Sequence, residues 1–95
     1  MPNTFSETST RSRFGNAIRQ RRAEVGISQE ELAQRAGMTR TYVGEIETGR
    51  RNPALLNIEK LARALGVSVA VLFSEYGADY QDSDTSSAVT TEDVS

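Results

Sequence analysis

Apolar residues recur along the middle of this chain at three- and four-residue intervals, in runs that stop at glycines. In the first run Phe14, Ile18 and Val25 share one face, with Ala17 and Arg21 nearby. That spacing predicts a helix from Arg11 that Gly26 brings to an end. The second run opens at Ser28, with Glu31 three residues on and Leu32, Ala33 and Ala36 facing inward. Ser28 and Glu31 form a capping-box pattern, in which hydroxyl and carboxylate satisfy the orphan amides of a helix start. Gly37 ends this helix, because glycine enters the left-handed backbone region without steric cost. Thr39 is placed to cap a third helix reaching about Thr48, with Val43 and Ile46 as its buried stripe and Gly49 as its stop. Arg50-Arg51-Asn52-Pro53 reads as a basic turn, and Pro53 suits the start of a fourth helix. That helix carries Leu55 or Leu56, then Ile58, Leu61, Ala62 and Leu65, and Gly66 closes it. Ser68 caps a short fifth helix, from Val69 to about Phe73.

The pattern predicts an all-α fold: a compact five-helix domain over residues 11–76, between disordered termini at 1–10 and 77–95. The first ten residues are polar and rich in Ser and Thr. The last nineteen are largely Asp, Ser and Thr, with little to bury. No internal repeat is visible. With 95 residues the chain holds one small domain, for which association would be a useful reinforcement.

Charge changes the picture. The net charge is −2, but all eleven basic residues lie between Arg11 and Arg63, so residues 11–73 carry a net charge of +5. Residues 74–95 hold six acids and no base. A basic body with an acidic tail is compatible with phosphate binding. Cysteine and histidine are both absent, which excludes thiolate and imidazole metal sites, cysteine nucleophiles and histidine-based triads. No paired acid–base constellation or glycine-rich phosphate loop is present either, so an enzyme is not expected, and neither is a cofactor. No apolar run approaches the ~18 residues of a membrane span, and the opening residues lack the apolar core of a secretory signal. The expectation is a cytoplasmic protein without a membrane partner.

Residues 28–53 hold two short helices joined by a turn of about three residues containing Gly37. This is a helix-turn-helix arrangement, whose second helix enters the major groove of DNA. Ser28-Gln29-Glu30-Glu31-Leu32-Ala33, Gly37, Ile46-Glu47, Gly49, Pro53 and Leu61-Ala62 with Leu65-Gly66-Val67 make residues 14–73 resemble the lambdoid-repressor class of helix-turn-helix proteins. The run from Arg40 to Ile58 is most similar, within that class, to the controller proteins of restriction–modification systems.

That resemblance implies roles. Gln29 would grip a phosphate with its side chain and amide, helped by the positive end of the helix dipole. Arg40, Thr41 and Glu45 lie on the exposed face of the third helix. Arg40 can bond guanine O6 and N7 together, Thr41 can meet a thymine methyl or a phosphate, and Glu45 can accept from cytosine N4. Tyr42 either takes part in DNA reading or packs on its own core. Arg50, Arg51, Asn52 and Asn57 fall where the class places phosphate contacts. Arg22 and Glu47 match a partly buried salt bridge between the first and third helices, a structural role.

The implied function is sequence-specific regulation of transcription by a homodimer on a two-fold-symmetric operator of double-stranded DNA. One recognition helix reads only about four base pairs, whereas two copies span half-sites about 34 Å apart. The run Val69-Ala70-Val71-Leu72-Phe73 is apolar on every side. The class would turn Val67, Leu72 and Phe73 inward, leaving Val69, Ala70 and Val71 as the dimer interface. Glu30 and Glu31 are read as capping residues; RNA polymerase is their alternative partner in an activator. The acidic tail residues Asp79, Asp82, Asp84, Glu92 and Asp93 are read as solubilising, with competition against phosphates as the sharper alternative. An antitoxin that autoregulates its operon, or an adaptor that has lost DNA binding, would share the fold. The adaptor should lack Arg40, Arg50 and Arg51.

Overall fold

A computed structural model describes residues 7–74, with side-chain burial from Ser9 onward. The first six residues of the expected arm and the whole acidic tail lie outside the described residues. Four helices are α1 (Glu7–Val25), α2 (Gln29–Ala36), α3 (Arg40–Glu47) and α4 (Leu55–Ala64). A fifth, α5, covers residues 69–74. No strand occurs among the described residues.

The stop and start signals have direct structural counterparts. Ser28 accepts a hydrogen bond from the Glu31 amide at 3.0 Å, and Thr39 accepts one from the Tyr42 amide at 3.1 Å. Ser68 accepts from the Val71 amide at 3.1 Å and so opens α5. Gly37 has φ 71°, the left-handed conformation that lets its amide reach back to α2 while the chain turns sharply into α3. The capping box is half made: the Glu31 carboxylate pairs with Arg35 at 2.9 Å on its own helix. An i,i+4 partner on the same face is the nearer choice for that side chain.

α3 lies across both α1 and α2, and α2 packs in turn on α4. One core unites Phe14 and Ile18 of α1, Leu32, Ala33 and Ala36 of α2, Val43 and Ile46 of α3, Leu61 and Ala62 of α4, Leu65, and Leu72 of α5. Each large member among these is worth roughly 1.5–3 kcal/mol on burial. The core therefore buries the Val43 and Ile46 side of α3 against α1 and α2 and leaves Arg40 and Thr41 in solvent.

Five expectations need correction. α1 begins at Glu7 rather than Arg11, so the last residues of the expected arm are helical. Arg13 donates to Ser9 at 3.1 Å one turn earlier, and Arg11 anchors the same turn to α3, which gives that polar segment a reason to coil. Val25 is exposed, being the last residue of α1, beyond the reach of the core. Leu55 and Leu56 are both exposed, because the inward stripe of α4 starts only at Ile58. Pro53 precedes the helix rather than opening it: Ala54 is the N-cap and makes no side-chain cap bond. Val69 packs against the core of its own protomer, so Ala70 and Val71 alone remain exposed of the three residues assigned to an interface.

Candidate nucleic-acid interface

Arg40 and Thr41 form the first turn of α3, directly after the Thr39 cap, and both are exposed. Capping matters here because it fixes the first turn, which otherwise frays. Among the described residues no side chain pairs with the guanidinium of Arg40 or of Arg50, which leaves all their donors to solvent or a ligand. Asn52 is likewise exposed, in the turn between α3 and α4.

Tyr42 packs on its own core, one of its two proposed places, with its ring half-buried. Its hydroxyl accepts a hydrogen bond from Asn57 Nδ2 at 3.0 Å, joining α3 to α4. The Arg51 guanidinium lies over the exposed side of the same ring, 5.2 Å from its centroid. Arg51 also donates from Nε to Glu45 Oε1 at 2.7 Å. This carboxylate raises the Arg51 pKa above its ordinary value, mainly through the hydrogen bond and then through its charge. Glu45, Tyr42, Arg51 and Asn57 thus form one connected group on the solvent side of the fold. The family resemblance assigned each an expected role toward DNA but gave no sign that they bind one another.

Beneath this surface lies a second group. Arg22 Nε donates to Glu47 Oε2 at 2.7 Å, and Arg22 also reaches Glu47 Oε1 at 3.1 Å and the Ile27 carbonyl at 3.0 Å. The Glu47 side chain is only 2% exposed and that of Arg22 19%. The pairing pushes the Arg22 pKa up, chiefly through the hydrogen bond, against the opposing effect of desolvation. Gln29 Nε2 donates to Glu47 Oε1 at 2.9 Å. The side chain of Gln29 therefore faces α3, and its backbone amide, at the first position of α2, is the donor still turned to the helix start. Gly44 is not required by this arrangement: a β-carbon there would sit 3.8 Å from the Gln29 side-chain oxygen, in ordinary contact.

Three residues of α1 set the position of α3, and the periodicity pointed to none of them. Gly15 is buried; a β-carbon on it would collide with the Ile46 carbonyl oxygen and lie 2.9 Å from that of Glu47. Arg11 Nε donates to the Gly49 carbonyl at 2.9 Å. Ser12 lies against Gly49, whose φ of 80° is in the left-handed region. The available signal was Gly15 itself, since a glycine inside a helical pattern usually has a packing reason.

Two depressions flank these elements. A polar groove of about 420 Å³ is lined by Ser12, Arg13, Asn16, Arg19, Glu47 and Thr48. A smaller apolar one of about 170 Å³ includes Phe14, Pro53, Ile58 and Phe73. The Phe14 and Phe73 rings meet there with centroids 5.7 Å apart. Among the described residues no group of three candidate ligands could hold a metal ion. No helix among them is long and apolar enough to cross a membrane.

Comparison with known proteins matches the helix-turn-helix family over residues 18–72. The control protein C.MunI of a Mycoplasma species is 42% identical over 64 residues, spanning 66% of this chain and 86% of that protein. The crystal structure of the restriction–modification controller protein C.AhdI from Aeromonas hydrophila is 45% identical and has a TM-score of 0.67. That match covers 68% of this chain and 98% of C.AhdI. A third match is the C.Esp1396I controller protein, solved as a tetramer in complex with its natural 35-base-pair operator. It is 31% identical, with a TM-score of 0.70 over 74% of this chain and 92% of that one.

Proposed function

This chain belongs to the helix-turn-helix family, and from that premise we propose that it is a transcriptional regulator that binds a two-fold-symmetric operator as a homodimer. The restriction–modification controller proteins it resembles supply the narrower reading, a small regulator of its own operon acting in the cytoplasm. The observation that carries the proposal is the capped, solvent-facing first turn of α3, where Arg40 and Thr41 stand with no protein partner among the described residues. In this docking mode that turn reaches base edges. Arg40 reads guanine through a bidentate pair, and Thr41 meets a neighbouring methyl or phosphate. The Gln29 amide, Arg50, Asn52 and Arg51 hold the phosphates on either side. Asn57 acts through Tyr42, whose hydroxyl it already engages.

Ala70 and Val71 on α5 form the core of the dimer contact, both being exposed in an apolar run of which only Leu72 is fully buried and whose last residue, Phe73, is 36% exposed rather than turned inward. Glu31 is occupied by Arg35, which leaves Glu30 on α2 as the carboxylate for RNA polymerase if the protein activates.

Fluorescence anisotropy with duplexes from upstream of the protein's own gene, at several salt concentrations, tests this reading. A dimer neutralising six to eight phosphates should show log affinity falling against log salt with a slope of about −5 to −7. Binding that is flat with salt, or a titration that perturbs only residues remote from α3, would refute it.

A further inference from the structure

Glu45 stands out because a carboxylate on a DNA-facing surface repels phosphates, yet here it is held by a neighbouring arginine. Arg51 Nε donates to Glu45 Oε1 at 2.7 Å, and the guanidinium lies on the Tyr42 ring. The turn is fixed underneath them, since the Arg50 amide donates to the Glu45 carbonyl at 2.8 Å. Carboxylate and phosphate offer a guanidinium the same acceptor pair and the same sign of charge. Without DNA, therefore, Arg51 already has the kind of partner it would take from the backbone, in a pose fixed by an aromatic platform.

We propose that Glu45 is an internal phosphate surrogate that occupies Arg51 until a DNA phosphate displaces it, and so suppresses binding to unrelated sequence. The proposal rests on the DNA-binding reading above. The pair is suited to exchange. Its side chains are 54% and 31% exposed, and an exposed pair of this kind is worth a factor of about five or less in an equilibrium. A specific complex, with Arg40 on its base, outcompetes that factor easily. A nonspecific complex, held by phosphates alone, loses a contact per protomer and meets one more negative charge.

The test compares wild type, Glu45→Gln, Arg51→Gln and the double variant on the cognate duplex and on a scrambled duplex across a salt series. Glu45→Gln should raise affinity for the scrambled duplex about fivefold at low salt and steepen its salt slope by about 1–2 for the dimer. Cognate affinity should rise less, so discrimination falls, and in the Arg51→Gln background the gain should largely vanish. Three results would overturn the proposal: no gain on scrambled DNA, an equal gain without Arg51, or a loss confined to one operator base pair. The last would make Glu45 a base-reading residue. If wild type binds neither duplex even at low salt, the DNA-binding reading itself fails, and this proposal with it.

Discussion

Gly15 of α1 and Ile46 of α3 approach so closely that a β-carbon on the glycine would overlap the isoleucine carbonyl. Backbone cannot be displaced as a flexible side chain can. Gly15→Ala should therefore cost about 3 kcal/mol, more than an ordinary overpacked core site. Chemical denaturation should show a lower midpoint at unchanged slope, whereas Gly44→Ala, where the β-carbon meets only ordinary contacts, should stay within about 1 kcal/mol of wild type.

Removing one partner of the Arg22–Glu47 pair should be expensive in proportion to what it strands. Arg22→Met leaves a side chain that is 2% exposed with a full negative charge and Gln29 as its remaining hydrogen-bond donor. The expected loss is about 3 kcal/mol, or about 12–24 °C in Tm for a domain of this size. Glu47→Leu strands a more exposed guanidinium and should cost less, and the double variant should recover part of the loss. Because the folded-state pKa of Arg22 is raised, the stabilisation from its charge is complete below the ordinary arginine value and is lost only at higher pH. Its contribution should therefore be flat across roughly pH 6–9. Melting curves unaltered by either single substitution would rule out a structural role for the pair.

The caps on α2 and α3 do the same chemistry but should differ in consequence. Ser28→Ala and Thr39→Ala should each cost about 1 kcal/mol of stability. Only Thr39 holds the turn bearing Arg40 and Thr41, so its loss should weaken operator binding beyond the stability effect. Affinities measured well below both melting temperatures would separate the two.

Arg40 and Arg50 should part company in a binding screen over variant operators. Arg40→Ala should relax preference at one base position per half-site, worth roughly 1–3 kcal/mol. Arg50→Ala should weaken every sequence alike and reduce the salt slope by about 0.9 per protomer.

Val71→Asp should produce a folded monomer, visible by sedimentation at micromolar concentration, with operator affinity reduced far more than stability. Val71 is 40% exposed, so a charge there costs little within the protomer. Wild type that sediments as a monomer both with and without DNA would exclude the dimer.

The starts of α2, α3 and α5 and the end of α2 were legible because hydroxyl caps and stop glycines act locally: Ser28, Thr39, Ser68 and Gly37 each do in space what the spacing implied. Leu32, Val43, Ile46, Leu61 and Leu72 were legible for the same reason, as a helical period reports its own buried stripe. What stayed hidden depends on how elements meet. Periodicity cannot say that α4 turns Leu55 and Leu56 to solvent, or that Val69 finds room against the core. At the candidate interface the residues could be picked out one by one. Their mutual bonding, Glu45 to Arg51 and Tyr42 to Asn57, could not, since it depends on how the turn and α4 fold back against α3.

The bond from Arg11 to the Gly49 carbonyl ties the opening turn of the first helix to the far end of α3. Together with Ser12 and Gly15 it makes α1 the cradle on which the recognition element is aimed. A genetic selection for operator-blind alleles should therefore recover lesions throughout that cradle that act by re-aiming α3, and a mutational map taken at face value would count each of them as a point of contact.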